Sequence, residues 1–357
     1  MKILQLIQKL QTRGAEIFAC QLSNHLVTLG HEVKVVAIFK GKGVLPFEGE
    51  IKCLYANTKT RFIAYKTWSK LNEIIKEFKP DIVQANAGDT LKYLVFSKLI
   101  FRWKTPIVAR NASEVGRYLN SAIQKKYNIF LYRQVSQVIS VSRASEKDIL
   151  INFSFLSGKT SVIPVGVEPK TAIENLVLEP TIKKHILHVG GFSFEKNHSG
   201  LLRIFQSLLI ENPMVQLHLV GDGVLYKEVK KLVKELKLEK SITFYGFVNN
   251  PLAYIKAADI LILPSVIEGL PGVLLEAMYC KTPVIAYDVG GISEIVNGDT
   301  GTLVDKGDEN GFFSNIIKVL NNLDNSQINR AYKRVLKDFV NDNIAVKFVA
   351  SYNKINT

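Results

Sequence analysis

Twice along its length this chain alternates short β-branched apolar runs with stretches of helical periodicity, a pattern that a parallel sheet wound with helices satisfies and few other folds do. In the first half a strand is expected near residues 2–7, followed by Ala15, Phe18, Cys20, Leu22, Leu26 and Leu29 at helical spacing, closed by Gly30. Strands follow at Glu32–Phe39, Asp81–Gln84, Pro106–Arg110, Gln137–Val141 and Ser161–Ile163, with helices around 66–78, 89–102, 120–134 and 143–152. The pattern breaks at Pro164-Val165-Gly166-Val167, and residues 168–181 are polar and Pro-containing, as a linker would be. It then restarts with strands at His185–Val189, Val215–Val220, Ile242–Tyr245, Asp259–Leu263 and Pro283–Tyr287, and helices at Asn197–Ile210, Val224–Leu236, Pro251–Lys256 and Gly272–Cys280. With 357 residues, 47% of them apolar, the chain is long enough for two cores. The expected architecture is therefore α/β, with doubly wound parallel-sheet domains at 1–167 and 168–337 and a last helical segment, 338–357, crossing back to the first.

Charge divides unevenly between these halves. Residues 1–165 hold 25 Lys and Arg against 11 Asp and Glu, whereas residues 166–357 hold 21 of each, so the first half carries the whole surplus of 14. Two readings stand: an anionic partner on the first domain, such as a phospholipid surface or a lipid-linked phosphate, or solvated surface lysines. No nucleic-acid motif accompanies the charge, so nucleic acid is not expected as a partner. In Lys59–Lys79, Trp68, Leu71, Ile75 and Phe78 form a stripe beside Arg61, Lys66, Lys70 and Lys76, which suits either a lipid-lying helix or a core-facing one with a solvated basic side. Gln5, Gln8 and Lys9 interrupt the apolar start before a signal-peptide core forms, and no apolar run reaches a bilayer-spanning length. Cys20, Cys53 and Cys280 are odd in number and far apart, which fits a reducing compartment. The expected location is cytoplasmic, with peripheral attachment to the inner face of the membrane if the basic half meets lipid.

In open parallel sheets ligands gather at the carboxyl ends of strands, where helix N-termini offer unpaired amides to phosphate. Four loops of the second half have that position: residues 190–197, Gly221-Asp222-Gly223, Gly246-Phe247-Val248 and 264–272. The strongest signal is EGLPGVLLE at 268–276, which sets Glu268 in a loop eight positions before Glu276 in a helix. Pro271 suits the first helical turn, which would leave the amides of Gly272, Val273 and Leu274 free for a diphosphate and aim Glu276 at the same pocket. Read alone, Glu268 is equally well a solvated loop residue and Glu276 a favourable charge near a helix start.

Taken together, GxxxxEKN at 190–197, GDG at 221–223, YGFV at 245–248, ADILILPS at 258–265, the two glutamates and DVGGISEIV at 288–296 resemble the retaining family-4 glycosyltransferases of the GT-B fold. Weaker echoes are Arg13-Gly14-Ala15-Glu16, Pro80-Asp81-Ile82-Val83 and Val162–Val167. The resemblance implies two Rossmann-like domains facing a central cleft. It also implies a nucleotide-sugar donor held by Gly14, Gly190, Lys196, Asn197, Gly221, Gly246, Phe247, Val248, Glu268, Gly269, Leu270, Pro271, Gly272, Val273, Leu274 and Glu276. Within that set Glu276 would hold the ribose and Glu268 the transferred sugar near its reacting carbon, while Lys196 would pair with the diphosphate; Glu268 and Lys196 are the catalytic candidates. As the bond to phosphate breaks, charge builds on the leaving group, and a fixed cation with helix-start amides stabilises it. The chain contains no DxD pair, so no metal and no other cofactor is expected.

The pattern also departs from the family. Gly191 stands where members often have arginine, Gln84 and Asn86 replace a histidine pair, and Val165 replaces an asparagine of the junction. All six histidines are His25, His31, His185, His188, His198 and His218, leaving none between 32 and 184 to act as a general base toward the acceptor. Retention with the departing phosphate taking the acceptor proton needs no such base. Asn86, Asp89 and Arg110 are the expected acceptor contacts, Arg110 being equally placed for a buried ion pair. The leading expectation is a hexosyltransferase acting on a glycan or lipid-linked acceptor in cell-surface polysaccharide or glycolipid assembly. The alternatives are a nucleotide-sugar 2-epimerase of the same fold and a non-catalytic nucleotide-sugar-binding subunit.

Overall fold

The computed structural model describes residues 1–57, 64–170 and 172–355. Two compact units divide them, one formed by Met1–Glu168 with a segment returning at Asn341, the other by Pro169–Val340. The first unit runs β1 (Lys2–Lys9), α1 (Gly14–Thr28), β2 (Glu32–Phe39), β3 (Ile51–Cys53), α2 (Tyr65–Phe78), β4 (Ile82–Ala85), α3 (Gly88–Phe101), β5 (Ile107–Asn111), α4 (Ala122–Tyr132), β6 (Gln137–Ser140), α5 (Arg143–Asn152) and β7 (Thr160–Val162). Its strands form one parallel sheet in the order β3-β2-β1-β4-β5-β6-β7. Side chains alternate between its two faces. Leu4, Leu6, Val83 and Ala85 pack with Trp68, Leu71, Ile75, Phe78 and Leu94 on one side, while Ile3, Ile82, Val108 and Ile139 meet Phe18, Leu22 and Leu26 of α1 on the other. The stripe of α2 is thus spent in the core with Lys66, Lys70 and Lys76 exposed, and the lipid-lying reading of that helix is withdrawn. Lys59 and Arg61 lie outside the described residues.

The second unit repeats this winding: β8 (Lys184–Val189), α6 (His198–Glu211), β9 (Val215–Val220), α7 (Tyr226–Glu235), β10 (Ile242–Gly246), α8 (Pro251–Ala257), β11 (Ile260–Leu263), α9 (Gly272–Tyr279), β12 (Val284–Tyr287), β13 (Thr302–Val304), α10 (Glu309–Asn321) and α11 (Asn325–Asp338). The sheet is parallel, in the order β10-β9-β8-β11-β12-β13. In each unit the strand order reverses beside the first strand, between β1 and β4 and between β8 and β11, which marks the carboxyl edge there as the ligand-binding position of such a sheet. The edge strands β3 and β13, three residues each, have no counterpart in the sequence-based expectation, because neither is long enough to show a period.

The chain returns to the first unit as α12 (Asn341–Asn353). The return starts at Asn341 rather than 338 because α11 runs to Asp338 and Phe339 packs against Arg334 of that helix. Asn341 donates its backbone N–H to Val167 O (3.1 Å), and its side-chain amide donates to Glu168 (2.8 Å). His25 stands between Glu168 (3.0 Å) and Asp342 (2.8 Å). Ile344, Phe348 and Tyr352 complete the core over α1, with the Phe348 ring 6.0 Å from that of Phe18. Phe348→Ala is expected to lower the unfolding free energy of this unit by about 3–5 kcal/mol, measured by urea titration with a probe in the first unit; a change below 1 kcal/mol would show that α12 is peripheral to that core.

Candidate functional site

The loops at the carboxyl edge of the second sheet are built backbone against backbone. Gly221, at φ +140°, lies so close to the Gly190 carbonyl that any Cβ would collide with it, and Gly290, at φ +58°, stands likewise against the carbonyl of Glu268. Hydrogen bonds link the same loops: Gly190 N–H to Val220 O (3.0 Å), Phe192 N–H to Asp222 O (3.1 Å), Gly221 N–H to Gly246 O (2.8 Å), Val266 N–H to Glu195 O (2.8 Å) and Gly291 N–H to Gly269 O (2.9 Å). The segments after β8, β9, β10, β11 and β12 therefore form one connected rim. Gly246 takes a left-handed φ of +65° there, and Phe247 projects from the rim half exposed, beside a partly buried Val248.

Asn197 anchors the first of these loops to the fourth. Its side-chain oxygen caps α6 by accepting from Gly200 N–H (3.2 Å), and its amide donates to Pro264 O (3.1 Å). Lys196 is thereby carried to Glu268, and their Nζ and Oε1 stand 2.5 Å apart with the side chains 20% and 10% exposed. Leu270 and Pro271 are buried, and Pro271 takes the cap position ahead of α9 with no side-chain cap bond. The helix starts at Gly272, as expected. Leu274 N–H is bonded to Pro271 O (3.2 Å), so of the three amides expected to be free, those of Gly272 and Val273 remain. Glu276, half buried one turn further on, has no side-chain hydrogen bond to another described residue. Burial pushes its carboxyl up to about 7, with partial relief from Lys170.

Three aromatic groups that carried no assigned role in the sequence line the base of this rim. Phe192 stacks on His198 with centroids 4.0 Å apart, and His198 meets His188 edge-on at 4.9 Å. His188 donates from Nδ1 to Ile262 O (3.0 Å), which leaves Nε2 as a buried acceptor facing Gly190 and the stem of Lys196. Burial and the Lys196 charge hold His198 down to about 4, and burial holds His188 well below its ordinary range. The clustering of His185, His188 and His198 was the available sequence signal.

In the first unit the sequence-selected residues do not converge to the same degree. Gly14 opens α1, exposed, with open space at its Cβ position and no left-handed φ, so the local backbone does not require glycine. Asn86 is sealed in the sheet, donating to Gln5 (2.9 Å) and accepting from Gln84 (3.0 Å). Asp89 accepts from Gln8 (2.8 Å) and pairs with Lys92 (3.2 Å). Arg110 forms no ion pair with a described residue, against one of the two sequence readings; it lies 4.2 Å from the face of Phe18. Among the described residues no group of three or more His, Cys, Asp or Glu is arranged to hold a metal ion, and no helix is long and apolar enough to cross a membrane.

These two sheets and the rim of the second define a GT-B protein, and comparison with known families gives its class. Residues 12–171 match the model of Glycosyltransferase Family 4, and residues 170–334 that of Glycosyl transferases group 1. The chain belongs to the family-4 glycosyltransferases, which use nucleotide-sugar donors. It is 30% identical over 256 residues, 69% of this chain and 68% of the relative, to the N-acetylgalactosamine-N,N'-diacetylbacillosaminyl-diphospho-undecaprenol 4-alpha-N-acetylgalactosaminyltransferase of Campylobacter jejuni. A second enzyme of that organism, which adds alpha-1,4-N-acetyl-D-galactosamine to GalNAc-alpha-(1->4)-GalNAc-alpha-(1->3)-diNAcBac-PP-undecaprenol, is 27% identical over 95% of this chain and 94% of its own. The crystal structure of Anabaena HepE with UDP and glucose superposes with a TM-score of 0.82 at 21% identity, covering 99% of this chain and 100% of that one.

Two measurements follow from the titrating groups. His198 and His218 ionise in the fold only near pH 4, whereas the unfolded chain takes up those protons near 6.5. The unfolded state therefore binds more protons in that window, and stability of the second unit is expected to fall as pH drops from about 6.5 toward 4, by up to roughly 3 kcal/mol per histidine; urea midpoints across that range check it. Glu276 has the opposite sign, its folded pKa being raised, so it costs stability as pH rises through about 7. Glu276→Leu is expected to raise stability at pH 8 by on the order of 1–2 kcal/mol, and a loss of stability there would contradict this account.

Proposed function

We propose that the protein is a retaining, metal-independent hexosyltransferase that moves a sugar from a nucleotide-sugar donor to a glycan or lipid-linked acceptor in cell-surface polysaccharide or glycolipid assembly, working in the cytoplasm at the inner membrane face. The observation that carries this reading is the Lys196–Glu268 pair in the loops ahead of α9, the helix that bears Glu276 with no side-chain hydrogen bond to another described residue. Each member of the pair keeps the other from being an uncompensated, half-buried charge. A donor exchanges both partners at once: the diphosphate takes the ammonium together with the Gly272 and Val273 amides, and a hydroxyl of the sugar donates to the freed Glu268 carboxylate. Glu276 accepts from the ribose hydroxyls.

Lys196 and the two amides act on charge that grows on the leaving phosphate, so they stabilise the transition state more than the bound donor. The leaving phosphate oxygen takes the acceptor proton on the same face, which retains the configuration. The relatives' lipid-linked acceptors and the basic first half of the chain support an acceptor carried by an anionic lipid.

Incubation with a panel of nucleotide sugars is the direct test. One donor is expected to raise the melting temperature and to release free sugar slowly without acceptor; a product epimer, or binding without any turnover, would replace this reading. Lys196→Ala is expected to lower kcat by about 100-fold or more with a smaller change in donor affinity, and Glu276→Ala to abolish the donor-induced thermal shift. A Cβ at Gly191 meets only Asp222 O, at 3.6 Å, so arginine fits the backbone there. Gly191→Arg is expected to tighten donor binding roughly three- to tenfold, read by calorimetry with the nucleoside diphosphate.

A further inference from the structure

The first unit buries a cation whose side chain has no ion pair and no hydrogen bond among the described residues. Arg110, near the carboxyl end of β5, is 6% exposed, and its Nη1 is sealed from solvent without a hydrogen-bond acceptor. The Phe18 ring lies 4.2 Å from its Cζ, and Glu16 and Tyr352 act on it through charge alone. Stacking fixes the plane of the guanidinium and leaves its edges, where the N–H groups point, to find acceptors.

Neither of the two polar groups whose charge reaches it bonds to it. Glu16, the carboxylate whose charge reaches Arg110, is itself buried and already accepts from Gln11 (2.9 Å) and from its own backbone amide. The Tyr352 hydroxyl, also close, donates to Gln84 (2.6 Å). Burial lowers Arg110 only to about 10, so the group remains a cation at neutral pH. An unpaired buried charge of this kind strongly disfavours the fold unless a partner arrives.

The position says what kind of partner that is. Phe18 belongs to α1, so the guanidinium lies beside the first turns of that helix, whose cap residue Arg13 makes no side-chain cap bond. That start is at the carboxyl edge next to the β1/β4 reversal, where ligands of such sheets bind. A planar guanidinium fork next to helix-start amides matches phosphate or carboxylate oxygens in pairs.

We propose that Arg110, with the N-terminal turn of α1, is the specificity-determining contact for a phosphate or carboxylate group carried by the acceptor. The assignment rests on the transfer reading for the word acceptor, and on the first unit alone for the anion site. It makes an anionic acceptor the substrate class and a neutral glycan a poor one.

Two experiments separate those layers. In full-length protein carrying Lys196→Ala, which removes the cation of the donor rim, inorganic phosphate at constant ionic strength is expected to raise the melting temperature, and adding Arg110→Met is expected to abolish that rise while Arg110→Lys keeps part of it. Equal protection of the Lys196→Ala protein and its Arg110→Met derivative, or no protection of either, would overturn the anion site whether or not transfer is ever observed. For transfer, the same glycan is offered as a phosphomonoester and as a neutral alkyl glycoside. Wild type is expected to favour the phosphorylated form in kcat/KM by roughly tenfold or more, Arg110→Met to lose that preference through acceptor KM, and the thermal shift with nucleotide sugar to persist. A preference that survives Arg110→Met, or a change confined to donor KM, would assign the anion elsewhere.

Discussion

The rim of the second sheet depends on backbone lying against backbone without an intervening Cβ. Gly221 on the Gly190 carbonyl and Gly290 on the Glu268 carbonyl bring four loops together in two pairs, closer than any other residue would allow. That closeness lets one asparagine, Asn197, cap α6 and hold Pro264 at the same time, and so sets Lys196 against Glu268. The Asn197 bond and that of Val266 N–H to Glu195 O are what tie the loops that carry the two members of the ion pair. Its energy in a partly exposed setting is modest, and its value lies in holding two opposite charges where each is ready to change partners.

Both units wind their strands in one order, yet their carboxyl edges differ in chemistry. The second presents left-handed glycines, a helix start with two free amides, and a carboxyl raised by burial. The first seals its polar residues inward: Gln5, Gln84, Asn86 and Tyr352 bond to one another in the sheet and under α12. Arg110 is the member of that layer left out of the network. The surplus of positive charge in residues 1–165 belongs to the same half. The common fold therefore leaves each edge free to acquire its own ligand preference.

Much of this was legible in the sequence, for reasons that particular elements show. β2 and β9 were placed to the residue, since β-branched and other apolar residues recur through both and glycine lies just outside each. β3 and β13 escaped notice because three residues show no period; β7, equally short, was found because Ser161-Val162-Ile163 leads into the Pro164 break. At the rim, the proximity of Lys196 to Glu268 follows a spacing of motifs, whereas the state of Leu274 N–H turns on a single residue of helix register. That Arg110 forms no ion pair was beyond reach: whether a buried arginine meets a carboxylate is decided by partners distant in the chain, and here Glu16 is turned to Gln11.

The placement of α12 has a consequence for how the protein comes into being on the ribosome. The first unit is closed by residues made after the second, because Phe348 and Tyr352 cover α1 only once the whole second unit has been synthesised. At about 5–20 residues per second, roughly ten to forty seconds separate emergence of β7 from that of α12. Throughout that interval Phe18, Leu22 and Leu26 wait beneath an absent lid, and the nascent chain must shelter an apolar surface while its other half is already able to fold.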